Sequence, residues 1–227
     1  MGLFFVKGIP VEIVGASASQ QREAPGPQGL QDRIQKSLAS YGQKKIWEIR
    51  LREVKATILK DEWVKDVLIS RSFPNSVNVR IVPKQTALVL VGPKGELWPI
   101  TEDGTRLATL PADALPDVAL LRGEIFMKSA TKRKEAIEFA LSLPENGMIN
   151  KRNVSEIFWS KDDGYSLMLM QPKIEVKLGS DQLATKVLRV GQVMNYMSAN
   201  QINGLAKGQV IDASFSKKVL VRLRKGP

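Results

Sequence analysis

Between Val11 and Pro83 the apolar residues change spacing in an order that few folds can satisfy. Val11 and Ile13 alternate around Glu12 and the run ends at Val14-Gly15, the two-residue period of a strand. Leu30, Ile34 and Leu38 recur at helical spacing, and Tyr41-Gly42 puts a glycine in the usual C-terminal position, which predicts a helix stop. Leu51, Val54 and Ile58 repeat the helical spacing. Beyond Trp63-Val64 the alternation returns at Val67 and Ile69, a turn follows at Phe73-Pro74-Asn75-Ser76, and Val77, Val79 and Ile81 complete the series. Strand, helix, helix, strand, strand is enough for a domain, because two helices can bury their stripes on one face of a three-stranded sheet. Pro83 cannot donate to a ladder and marks the boundary, dividing the chain into 1–83 and 84–227. Within the first part, Ala16 to Gly29 is rich in Ser, Gln, Pro and Gly and reads as a flexible loop.

After Pro83 the pattern becomes one of hairpins. Thr86 to Val91 and Glu96 to Ile100 flank Gly92-Pro93-Lys94-Gly95, and Glu102-Asp103-Gly104 supplies another turn. Pro111 to Asp117 reads as a loop. A helix is predicted from about Ser129 to Leu143, with Ala136, Ile137, Ala140 and Leu141 as its apolar stripe. Strands are predicted at Val154 to Trp159, Tyr165 to Met170 and Ile174 to Leu178. A long helix from about Asp181 to Ala199 carries Leu183, Val187, Val190, Met194 and Met197. The last hairpin joins Val210 to Phe215 with Val219 to Leu223 through Ser216-Lys217-Lys218. The fold class is therefore α+β, with the first domain followed by a mostly antiparallel sheet and two helices.

Composition then removes most chemistry. The 227 residues include no His and no Cys, so thiol nucleophiles, Ser-His and Cys-His arrangements, imidazole acid-base catalysis and Cys-based metal sites are excluded. Asp103-Gly104 and Asp162-Asp163-Gly164 lack the further ligands of a calcium loop and read as hairpin turns. No glycine pattern at Gly123 or Gly191 makes a phosphate cradle, and Gly191 reads as a close-packing position in its helix. No cofactor is expected, and no paired acids suggest an enzyme. Lys and Arg exceed Asp and Glu by 34 to 23, a net charge of +11. The cations are scattered, with short runs at Lys132-Arg133-Lys134 and Arg222 to Lys225, which favours a solvated surface over a nucleic-acid footprint. Met1 to Val6 is apolar but far short of the ~20 residues that cross a bilayer.

Met168, Met170, Met194 and Met197 read as core filling, and Trp47, Trp63, Trp98 and Trp159 as dispersed core anchors rather than a stacking platform. Val219, Val221 and Leu223 share one face of a terminal strand. Two readings stand for that strand: an edge that accepts a partner strand, or an edge guarded by Lys217, Lys218, Arg222, Arg224 and Lys225.

Taken in order, these elements resemble the FtsQ/DivIB family of bacterial cell-division proteins over nearly the whole chain. The likeness rests on Trp63-Val64, an alternating strand, Arg71, the turn Phe73-Pro74 and the strand to Ile81, together with Ile13-Val14-Gly15. It continues through Asp103-Gly104, Leu115-Pro116 with Gly123, Leu178-Gly179 followed by Lys186, and Ile211-Asp212. Two features differ: Pro83-Lys84-Gln85-Thr86-Ala87 replaces the family's usual junction motif, and the loop from Ala16 to Gly29 looks inserted.

The resemblance implies a POTRA domain (β-α-α-β-β) followed by a β domain, in a non-enzymatic scaffold. It implies a single-pass type II membrane protein, with this region periplasmic or extracytoplasmic and the anchor upstream of the chain. It also implies FtsB/FtsL-type partners, FtsB adding a strand to the terminal edge, and contacts of the POTRA domain with other division proteins. Carried over by position, Lys186 falls near a basic helix position of that contact, and Ser214, Phe215 and Lys217 fall on the edge segment. The family's arginine there is not retained, which leaves Lys186, Arg189 or Lys217 to meet the partner's acid, with Val219 and Val221 in the strand itself. The competing expectations are a POTRA-bearing subunit of an outer-membrane secretion or assembly system and a basic nucleic-acid-binding module.

Overall fold

A computed structural model describes residues 6, 9–14, 29–42, 44–200, 209–215 and 218–223. The chain divides into two compact units, Met1–Gln85 with Pro111–Pro116, and Thr86–Leu110 with Asp117–Pro227.

In the first unit the elements are β1 (Val11–Ile13), α1 (Leu30–Leu38), α2 (Leu51–Ile58), β2 (Val64–Ser72) and β3 (Ser76–Pro83). The sheet order is β1-β3-β2, with β1 parallel and β2 antiparallel to β3. Leu30, Ile34 and Leu38 of α1 and Val54 and Ile58 of α2 are buried, as are Val67, Val77, Val79 and Ile81 of the sheet. Each such side chain contributes about 1.5–3 kcal/mol on leaving water, so the two stripes that the spacing foretold are what hold this unit together. Pro83 is the last residue of the central strand, where its missing N–H costs the ladder least. Gly42 does not take the left-handed stop conformation expected of it: its φ is −68°, and α1 runs into a tighter turn at Ala39–Tyr41. The expected loop from Ala16 to Gly29 lies, Gly29 apart, outside the described residues.

The second unit contains β4 (Thr86–Val91), β5 (Leu97–Thr101), β6 (Leu120–Arg122), α3 (Glu124–Lys128), α4 (Ala130–Ser142), β7 (Val154–Ser160), β8 (Gly164–Leu169), β9 (Glu175–Gly179), α5 (Leu183–Ala199), β10 (Gln209–Asp212) and β11 (Leu220–Leu223). These strands form one sheet in the order β11-β10-β9-β8-β7-β6-β4-β5. Pairing is antiparallel at four junctions and parallel at β4–β6, β6–β7 and β9–β10. Parallel neighbours need a long crossover, and α4 and α5 are the crossovers that carry the chain from β6 to β7 and from β9 to β10.

Register aligns one apolar row across all eight strands: Trp98, Leu90, Leu121, Ile157, Leu167, Val176, Ile211 and Val221. Ala136, Ile137 and Phe139 of α4 and Val187, Val190 and Met194 of α5 belong to the same core. The stripe expected on α4 is displaced, because Phe139 is buried and Leu141 is 46% exposed. The methionines divide: Met194 and Met197 are buried, whereas Met170 is exposed. Among the tryptophans, Trp63 is buried, Trp98 and Trp159 pack against the core, and Trp47 is 55% exposed. Gly191 is not a packing contact either: a methyl group there would meet no atom within 4 Å beyond its own stretch of helix.

Candidate functional site

The two edges of the large sheet are finished differently. At the β5 edge, the segment that follows doubles back along the strand. Leu107 N–H donates to the Pro99 carbonyl at 2.9 Å, Leu110 N–H to the Leu97 carbonyl at 3.1 Å, and Thr101 N–H to the Thr105 carbonyl at 3.0 Å. Pro99 itself has no N–H to offer, so this edge is closed by the chain's own backbone. At the opposite edge, among the described residues, β11 pairs with β10 alone. Val221 stands opposite the fully buried Ile211 and ends the apolar row, yet it is 38% exposed, with no strand beyond it among the described residues.

The approach to that edge is tightly tethered. Ala213 N–H donates to the Lys177 carbonyl at 2.8 Å, continuing the β9–β10 ladder. The Asp212 carboxylate accepts from Ser214 N–H at 3.0 Å and Ser214 Oγ at 2.6 Å, closing a local Asx-type turn. Phe215 follows, 49% exposed, and Val219 packs partly against the core. Lys217 lies outside the described residues.

Lys186 is turned into the unit. Its side chain is 1% exposed, and Nζ donates to the Leu178 carbonyl at 2.9 Å, Asp181 Oδ1 at 2.7 Å and the Ser214 carbonyl at 3.2 Å. An ammonium has three N–H donors, and all three are used inside this unit, which is what makes its burial tolerable. The same hydrogen bond, reinforced by the lysine's charge, holds the Asp181 carboxyl below its usual range. Lys186 therefore ties three segments together: the end of β9, the entry to α5 and the turn before β11. Arg189, on the next turn of α5, is half-buried. The structure thus brings Lys186 and Ser214 together, puts Phe215, Val219 and Val221 on the edge, and shows Asp181 and Asp212 as the partners that position them. Asp212-Ala213-Ser214 is an Asx-turn pattern readable in sequence; Asp181 carries no comparable signal.

The turn carboxylates have local duties. Asp103 Oδ1 accepts from Thr101 Oγ1 and from Thr105 N–H, and Asp163 pairs with Lys177 at 3.1 Å. Among the described residues no cluster of three or more acids could hold a metal ion, and no helix is long and apolar enough to cross a membrane.

Two family models match the chain. The POTRA domain, FtsQ-type, covers residues 30–82, and the C-terminal domain of cell division protein FtsQ/DivIB covers 88–214. The second match ends at Ser214, so Phe215 and β11 lie beyond it. Cell division protein FtsQ of Geobacter sp. (strain M21) is 25% identical over 182 residues, which is 77% of this chain and 64% of that protein. Cell division protein FtsQ of Geotalea daltonii is 25% identical over 181 residues, with the same coverage. Cell division protein DivIB of Solibacillus silvestris is 27% identical over 144 residues, 63% of this chain and 48% of that protein. The chain thus spans less than two thirds of the length of these relatives.

Proposed function

Because the chain belongs to the FtsQ/DivIB family of cell-division proteins, we propose that it is a divisome scaffold whose second unit recruits an FtsB/FtsL-type partner by adding the partner's strand to β11. The observation that carries this reading is the unequal finish of the two sheet edges, one closed by residues 105–110 and the other ending in an apolar row at exposed Val221. A partner strand placed there extends the row by one residue and gives β11 a second hydrogen-bonding neighbour. Phe215, Val219 and Val221 supply the apolar contacts, Ser214 and the cations Arg189 and Lys217 the polar ones, and Lys186 acts from inside by fixing the Ser214 carbonyl. No catalytic group is needed for such a role. The full protein is anchored in the inner membrane with this region outside the cytoplasm, the boundary between the domains falls at 83/84, and the POTRA domain engages other division proteins.

Titrating the chain with an FtsB-type peptide tests the edge. Binding that is lost on Val219→Pro and weakened roughly tenfold or more on Phe215→Ala is the expected result, Phe being an anchor of the kind that dominates interfaces. Absence of binding, or binding indifferent to both substitutions, overturns it.

A further inference from the structure

The first unit carries an exposed aromatic and cationic end that neither its core nor the large sheet explains. Residues 45–48 form a turn closed by Glu48 N–H to the Lys45 carbonyl at 2.9 Å and Lys45 N–H to Glu48 Oε2 at 3.1 Å. Ile46 and Ile49 are fully buried on either side of it, which leaves Trp47 at its outer side, 55% exposed. At the β2–β3 turn Phe73 is 72% exposed, more than any other large apolar residue described. Arg71 Nη2 donates to the Ile49 carbonyl at 2.7 Å and holds these two turns at the same end of the unit. Lys44, Arg50 and Arg52 are exposed there as well, against Glu48 and Glu53, and Glu53 is already paired with Arg50 at 3.0 Å. Lys45 Nζ lies 5.8 Å from the Trp47 ring centroid.

We propose that this end is an interfacial patch that docks on an anionic lipid bilayer. Protein hot-spot aromatics fill pockets and are ringed by contacts that exclude water. Trp47 and Phe73 instead stand on turns, with cations beside them. That arrangement suits a headgroup layer, where aromatic rings sit at the water boundary and Lys and Arg meet anionic phosphates. Five cations against two acids give the patch the complementary charge, and each cation strengthens partition roughly fivefold. The buried Ile46 and Ile49 anchor the turn to the core, so little ordering is required on contact.

The test is co-sedimentation of the full 227-residue chain with vesicles of equimolar phosphatidylglycerol and phosphatidylcholine, and with phosphatidylcholine alone, together with tryptophan emission. The expected result is binding to the anionic vesicles only, weakened by salt, with a blue shift of emission. Trp47→Phe keeps sedimentation and abolishes the shift. Arg50→Glu combined with Arg52→Glu lowers partition more than about tenfold, and Lys94→Glu in the second unit leaves it unchanged. All of these side chains are exposed, so the denaturation midpoint of each variant confirms that folding is intact. The proposal is overturned by failure to bind anionic vesicles at low salt. It is equally overturned by binding indifferent to the Arg50 and Arg52 reversals, or by a patch that captures polyglutamate while ignoring the vesicles.

Discussion

Lys186 Nζ donates to the Ser214 carbonyl at 3.2 Å although 28 residues separate them, so a buried cation on α5 fixes the turn that leads to the sheet edge. Replacing it by Met keeps much of the apolar stem but strips the Leu178 and Ser214 carbonyls of their donor. Depriving the buried Leu178 carbonyl and the half-buried Ser214 carbonyl of this donor costs roughly 2–4 kcal/mol. Lys186→Met should therefore lower the urea midpoint with an unchanged denaturant slope, whereas Lys186→Arg, which keeps the charge, should recover part of the loss. A variant as stable as the parent would show that these bonds contribute nothing.

The acid partner of that lysine sets a pH dependence. Lys186 holds Asp181 below its ordinary value of 3.8, so the folded state releases this proton more readily than the unfolded chain. The stabilising contribution is complete above 3.8 and disappears as pH falls through the lowered value. Asp181→Asn should flatten the acid limb of the stability curve while leaving neutral pH less affected than Lys186→Met does. Urea titrations across that limb decide it: an unchanged limb in the variant refutes the linkage.

At the edge, burial and exposure separate stability from recognition. Ile211 and Val221 face each other across β10 and β11, yet the first is fully buried and the second is 38% exposed. Ile211→Ala should cost about 2–5 kcal/mol by leaving a cavity in the row. Val221→Lys should shift stability by less than about 0.5 kcal/mol. The same lysine, placed where a partner strand would extend the row, should nevertheless sharply weaken binding of the FtsB-type peptide. Equal effects of Val221→Lys on both measurements would remove the distinction.

Long elements with a regular period were legible in the sequence. α1, α2 and α5 announced themselves through leucines, isoleucines and valines at helical spacing, and β3 through strict alternation. What escaped was β6, whose three residues are too few to show a period, together with the short helix α3 behind it. Losing β6 hid two of the three parallel pairings, because an antiparallel meander was the simplest way to join the strands that were visible. On α4 the apolar stripe is hard to place, since Phe139 and Leu141 lie on different faces and Lys132 to Glu135 are all charged. The site was legible as an edge but not as a mechanism: a lysine in a helix looks like a surface charge until its three acceptors, brought from separate segments, are seen. Trp47 resembles a core residue in the sequence for a related reason, because the buried Ile46 and Ile49 on either side of it make the local segment apolar.

Two glycines that look alike in sequence should respond oppositely to alanine. Gly164 opens β8 with φ of 70°, and a methyl group there would lie 2.4 Å from the Gly179 carbonyl carbon, backbone that cannot move aside. Left-handed strain and the clash together predict a loss of about 3 kcal/mol or more for Gly164→Ala. Gly191 sits inside α5 with open space around it, so Gly191→Ala should stabilise by roughly 0.5–1 kcal/mol. Thermal unfolding of both variants checks the pair, and a stabilised Gly164→Ala would contradict the geometry of the β8–β9 contact.

Tyr165 makes the last test available from one buried group. Its ring packs between Phe126 and Phe139, at 6.3 and 5.8 Å between centroids, and its hydroxyl is buried with no hydrogen-bond partner among the described residues. Burial, with a smaller push from the Glu135 charge, raises the phenol from 10.0 to about 12. The neutral form is therefore favoured in the folded chain, while the unfolded chain ionises first. Stability should fall as pH rises from 10.0 through about 12, by roughly 3 kcal/mol in total from this residue. Tyr165→Phe removes both the titration and an unsatisfied buried hydroxyl, so it should be neutral to about 1 kcal/mol stabilising at pH 7 and should lessen the alkaline loss. Phenolate absorbance in the folded protein supplies the direct readout: the step with the highest midpoint should vanish in Tyr165→Phe, and its persistence would assign that step to another tyrosine.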